Sequence, residues 1–146
     1  MLKRVENTVF FEEVAHSLSE GRPVELRVQG NSMRPCLRGG KDRVVLYPTK
    51  DAELKKGCIV LFRYRGNYLL HRIVKRNKDS LTLQGDGVFA QQEQAVVADV
   101  VGVVRYLLCQ NGKQISAQSF SAACYRRLWR FMRPLRRYLL RAVSKI

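Results

Sequence analysis

Residues 57–75 read GCIVLFRYRGNYLLHRIVK, and the fold turns on how this stretch is read. Two apolar runs rich in β-branched and aromatic residues, Cys58 to Tyr64 and Tyr68 to Lys75, flank the short polar connection Arg65, Gly66, Asn67. Such runs suit a pleated, half-buried surface, and a short connection containing glycine suits a hairpin, so the two are expected to pair as neighbouring strands. The second run carries His71 at the same two-residue period as Leu69 and Ile73. That period puts the three side chains on one face of the strand, so the imidazole is expected to point toward a partly buried surface.

The same pattern recurs outward from the hairpin. Strands are expected at Val24 to Val28, Arg43 to Tyr47, Ser80 to Gln84 and Ala95 to Leu108, with a last one near Gln114 to Ser116. Upstream the period changes. Phe11, Val14, Ala15 and Leu18 recur at helical spacing, Asn7 or Thr8 can cap, and Gly21 followed by Pro23 ends the run, which places an N-terminal helix at about 7–20. The expected class is mainly β (α+β), with one β-rich domain over 1–120 and the N-terminal helix attached to it.

The chain has 146 residues, about one domain. Lys and Arg outnumber Asp and Glu by 27 to 12. Residues 1–120 hold 19 of the cations and all 12 acids, which leaves +7, and residues 121–146 hold the other 8 cations. The charge asymmetry points to an anionic surface as partner of the tail. Cys36, Cys58, Cys109 and Cys124 have no CxxC spacing, and His16 and His71 are the only histidines. Zinc is therefore not expected, nor is any other metal or cofactor. The opening stretch is broken by acids and no 18-residue apolar run occurs, so the expectation is a reducing, cytoplasmic location, peripheral on the inner membrane face if the tail binds lipid.

Chemistry is sought in the loops. GNSMRP, residues 30–35, follows the alternating run VELRV and sets Ser32 between Gly30, which relaxes the backbone, and Pro35, which fixes a turn. A nucleophilic serine needs an exposed oxygen, a base and donors for the oxyanion. Ser32 meets the first requirement, although a turn-forming serine has the same surroundings. The base at neutral pH would be one of two histidines. His16 sits beside Glu12 and Glu13 on the polar side of the helix, which leaves His71, either as a base or as a hydrogen-bonded core residue. Lys75, on the same expected strand face, is a competing base only if desolvated.

GNSMRPCLRGGKDRVVL, then GCIVLFRYRGNYLLHRIVK, then LTLQGDG resemble, in order, the boxes of the type I signal peptidase superfamily, which also includes LexA-like self-cleaving repressors. The likeness covers about residues 24–105, and SMRP is its most specific part. Bacterial members usually carry a lysine where His71 stands, so this chain looks like the histidine-type branch of archaea and the endoplasmic reticulum. The resemblance implies a β-rich catalytic domain and a serine endopeptidase acting through an acyl-enzyme on a peptide or protein substrate. Ser32 would be the nucleophile, His71 the general base and Asp86 of QGDG the acid that orients the imidazole. Asn31 and Met33 would line the substrate cleft and oxyanion region. Gly87 departs from the asparagine usual after the GD pair, and the following loop offers only Glu93, so Asp99 stands as a substitute acid. Gly30 lacks the side-chain donor some relatives have two residues before the nucleophile, which leaves the oxyanion to main-chain N–H groups.

Residues 121–146 complete the pattern. Tyr125, Leu128, Trp129, Met132, Leu135, Leu139, Val143 and Ile146 fall on one side of a helix and arginines on the other, with Pro134 as a kink. A basic amphipathic C-terminal helix is expected there, docked on anionic lipid or packed on the body. The competing functional reading is a noncatalytic β-rich binding module whose basic tail binds nucleic acid or an anionic membrane. The absence of a nucleic-acid motif argues against nucleic acid as the partner. Substrate preference, cleavage in cis or in trans, and oligomeric state are left open.

Overall fold

The computed structural model describes residues 2–30, 42–88, 90–108, 112 and 114–117, with side chains from residue 10 onward. Helix α1 spans Leu2–Ser19 and precedes eight strands: β1 Val24–Arg27, β2 Arg43–Tyr47, β3 Ile59–Tyr64, β4 Asn67–Asn77, β5 Ser80–Gln84, β6 Glu93–Val96, β7 Val100–Leu108 and β8 Gln114–Ser116. They form one antiparallel sheet in the order β1-β2-β7-β3-β4-β5-β6, with β8 beside β7. The described protein is mainly β with one N-terminal helix. The expected C-terminal helix at 121–146 lies outside the described residues. Among the described residues no helix is long and apolar enough to cross a membrane.

The hairpin that decides the fold forms as read. Tyr64 pairs with Asn67 across Arg65 and Gly66, whose φ angles of 50° and 79° are both left-handed. A two-residue turn of that kind matches the right-handed twist of the strands it joins. Two expected boundaries are corrected. The helix begins at Leu2 rather than near Asn7, because Leu2 to Glu6 are mostly good helix formers and nothing there stops the helix. The run expected as one strand over 95–108 is two strands, separated by a 3₁₀ turn at Val97–Asp99. Asp99 Oδ2 accepts the Val96 main-chain N–H at 3.0 Å, which satisfies the backbone where the ladder stops. At the other end of α1, Gly21 at φ 87° closes the helix. Its N–H donates to Leu18 O, and the Arg22 N–H reaches back to Ser17 O.

Alternation in β3 produces a core on each side of the sheet. Ile59 and Leu61 join Leu26, Val28, Val44, Leu46 and Val104 beneath Val14 and Leu18 of α1. Val60 and Phe62 join Ile73, Leu81, Leu83, Ala95 and Val103 on the opposite face, with Leu54 packed over them. Side chains such as Phe62 and Leu46 are fully enclosed, and each contributes about 1.5–3 kcal/mol through removal from water. Phe11 also stacks on Tyr68, ring centroids 5.3 Å apart. The segment that carries Leu54 is held by arginines from two strands: Arg76 donates to Leu54 O at 2.8 Å and Asp51 Oδ1 at 2.9 Å, and Arg105 donates to both oxygens of Glu53. His71 opens into this second core.

Candidate active site

His71 lies opposite Val60 in the β3/β4 ladder, with Leu69 opposite Phe62 and Ile73 opposite Leu83. Side chains directly opposite one another share a face, so the imidazole belongs to the face formed by Val60, Phe62, Ile73 and Leu83. Its ring lies 6.1 Å from that of Phe62, and the residue is 6% exposed. Continuing the Arg72–Gln84 and Ile73–Leu83 register by one step sets Gly85 opposite His71. Glycine has no side chain, and across that gap comes Glu93, the first residue of β6, on the same face by its pairing with Leu83.

Glu93 Oε1 and His71 Nδ1 are 2.5 Å apart, with Glu93 itself only 3% exposed. A carboxylate only accepts hydrogen bonds, so an ionised Glu93 accepts one from the Nδ1–H, which keeps its proton, and Nε2 is left as the nitrogen with a free lone pair. Nε2 has no hydrogen-bond partner among the described residues. A buried carboxylate that fixes the tautomer and compensates a charge forming on the ring is what an imidazole needs to serve as a general base.

The carboxylate that meets His71 is thus Glu93, not the expected Asp86. Asp86 is buried, but its carboxylate faces Arg72: Oδ1 accepts from Nε at 2.8 Å and Oδ2 from Nη2 at 2.7 Å. Arg72 Nη1 also donates to Gly57 O at 2.8 Å. The physical reason is strand alternation. Arg72 follows His71 in β4 and points to the opposite face, and Asp86, in the turn after β5, meets it there, so the Asp–Arg pair forms behind the strand that presents the histidine. Asp99, the substitute acid, caps Val96 instead.

Lys75 is likewise removed from contention as a base. A bulge between Ile73 and Lys75 shifts the register so that Lys75 pairs with Thr82 rather than falling in line with Ile73. The extra residue turns Lys75 to the face of Thr82 and Gln94, away from His71, and leaves it exposed.

Asn31, Ser32 and Met33 lie outside the described residues. What is described is the frame on either side. The Val28 N–H donates to Asp42 O at 2.9 Å, continuing the β1/β2 ladder up to the connection that carries them. Gly30 adopts φ 73°, a left-handed conformation that glycine takes without steric cost, immediately before Asn31.

Sequence alone puts Glu93 in a loop, where nothing sets the direction of its side chain. The available signal was the alternation of Glu93 and Ala95, which marks a short strand when taken with the apolar alternation of Leu81 and Leu83 in the preceding one. No family model matches the chain, and a search of curated proteins finds no significant match.

Proposed function

We propose that the chain is a serine endopeptidase that cleaves a peptide or protein substrate, with His71 as general base, Glu93 as the carboxylate that orients it and Ser32 as nucleophile. The observation that carries this reading is the buried 2.5 Å contact between His71 Nδ1 and Glu93 Oε1. It leaves a tautomer whose Nε2 can accept a hydroxyl proton. The resemblance of SMRP, the His71 strand and the GDG turn to the signal peptidase superfamily supports it further, with Glu93 taking the part that the resemblance alone would give to Asp86.

In the proposed reaction the Ser32 Oγ attacks the substrate carbonyl carbon as its proton passes to His71 Nε2. The imidazolium that forms keeps its Nδ1–H on Glu93, whose charge offsets it. Nε2 then returns the proton to the departing amine, and the scissile C–N bond breaks to leave an acyl ester on Ser32. Water then attacks the acyl carbon as its proton passes to Nε2, the ester C–Oγ bond breaks to release the acid product, and Nε2 returns the proton to Ser32 Oγ. Main-chain N–H groups would stabilise the oxyanion, and Gly30 at φ 73° leaves the backbone next to the nucleophile free to turn toward it.

The test is covalent labelling with a phosphonylating or acylating serine probe, followed by mapping of the modified peptide. The wild type should be modified at Ser32. Ser32→Ala should abolish labelling, and His71→Gln should slow it by about a hundredfold or more with the fold retained. Labelling at another serine, or at Ser32 with an undiminished rate in His71→Gln, would overturn the proposal.

A further inference from the structure

The connection from β5 to β6 has an anchor that the reaction above does not use. Gln84, the last residue of β5, is 4% exposed, and its carboxamide is engaged through both atoms. Nε2 donates to Val88 O at 2.6 Å, and Oε1 accepts from Gln92 Nε2 at 3.2 Å. The Val88 N–H in turn donates to Gly85 O at 2.9 Å, closing the first turn after the strand. Gln92 immediately precedes Glu93. A single buried carboxamide thus links the entrance of the connection to its exit, one peptide bond before the carboxylate that meets His71.

The position of that carboxylate needs such help. Glu93 begins β6, which lies at the edge of the sheet and is paired on the β5 side. Its pairing with Leu83 is the last rung of that ladder, and terminal rungs of an edge strand open most readily. Glutamine is also chemically particular here, because the site uses a donor toward Val88 O and an acceptor toward Gln92 at once. A glutamate at 84 would lose the donor and methionine would lose both.

We infer that Gln84 is a positioning residue: by bridging Val88 and Gln92 it holds Glu93 against His71 Nδ1. The catalytic consequence rests on the peptidase reading, but the placement itself does not. Displacing a catalytic group by about 1 Å costs on the order of a hundredfold in rate, so a loosened Glu93 should register in both structure and turnover.

The experiment reads the two separately, on the full-length chain. Proton NMR of the wild type should show a downfield, slowly exchanging imidazole N–H resonance that His71→Gln removes. In Gln84→Met this resonance should be lost or broadened by exchange while the amide spectrum keeps its dispersion. Gln92→Ala alters an exposed residue and breaks one of the two bonds, so it should weaken the resonance without endangering the fold, and it decides the matter should Gln84→Met fail to fold. The rate of Ser32 labelling should fall at least tenfold in Gln84→Met. A resonance unchanged in the folded variants, or absent from the wild type, overturns the inference. A wild type that shows the resonance and its loss in Gln84→Met, but never labels at Ser32, sinks the peptidase reading and leaves the positioning role standing.

Discussion

Replacing Asp86 by alanine should destabilise the fold before it says anything about chemistry, and the size of the effect follows from the geometry. Two oxygens of Asp86 face two nitrogens of Arg72 at 2.8 and 2.7 Å. The side chains are only 11% and 6% exposed. With the carboxylate gone, Nη1 keeps Gly57 O, while Nε and Nη2 lose their carboxylate partner in a place water hardly reaches. Removing one partner of a buried ion pair costs about 3–5 kcal/mol. A single domain has about 5–15 kcal/mol in total, so a large share of the stability is at stake. At about 2–4 °C per kcal/mol for a chain of this size, the melting temperature should fall by about 6–20 °C. Urea denaturation of the wild type, Asp86→Ala, Arg72→Met and the double variant gives the pairwise term directly. The double variant removes both charges and should be less destabilised than the sum of the singles by about 2 kcal/mol or more. Strict additivity, or a loss below about 1 kcal/mol in Asp86→Ala, would refute the reasoning. If Asp86 instead served His71, its removal would depress turnover and leave the denaturation midpoint almost in place.

Three further outcomes follow from other parts of the molecule. On the proposed mechanism, Glu93→Gln, which keeps the size but removes the charge that would compensate an imidazolium, should lower kcat by about a hundredfold or more with little change in KM; steady-state kinetics on any cleaved peptide will tell, and an unaffected kcat removes Glu93 from the mechanism. Gly102→Ala should cost about 1–3 kcal/mol in urea unfolding, because a Cβ there would stand 2.8 Å from Leu18 Cδ1 and 3.2 Å from Tyr47 O, where α1 crosses β7; a neutral substitution would mean that the helix seats more loosely. Burial, together with the hydrogen bond that Tyr68 Oη donates to Glu12 at 2.6 Å, holds the Tyr68 phenol above its usual range. The folded state thus favours the neutral phenol, and this contribution is intact below the unfolded value of about 10 and is lost as pH rises through the higher folded value. Denaturation midpoints measured on both sides of that window should drop more steeply for the wild type than for Tyr68→Phe, and parallel curves would contradict the assignment.

How much of the site was legible can be followed residue by residue. His71 was placed on its correct face because period two is a local property of any strand and its neighbours Leu69 and Ile73 are apolar. The turn at Arg65 and Gly66 was equally local. Lys75 was assigned to the wrong face, because a bulge inserts one residue and reverses every later side chain, and bulges leave little trace in composition. Asp86 drew attention as an acid between two glycines in a motif, yet a motif does not say toward which face its carboxylate turns.

By itself, the sequence determined that the described protein would be mainly β with an N-terminal helix, and that one histidine would point toward a partly buried surface. These follow from the alternation of apolar side chains along single segments, which requires no knowledge of partners. Which carboxylate meets that histidine was decided only when three strands came together. Glu93 lies 22 residues from His71 along the chain, and β5 stands between them in the sheet. The contact exists because strand pairing sets their side chains on a common face, while Asp86, in the turn after β5, pairs with Arg72 behind it. Such a choice arises from inter-strand register, a relation between segments that no single segment contains.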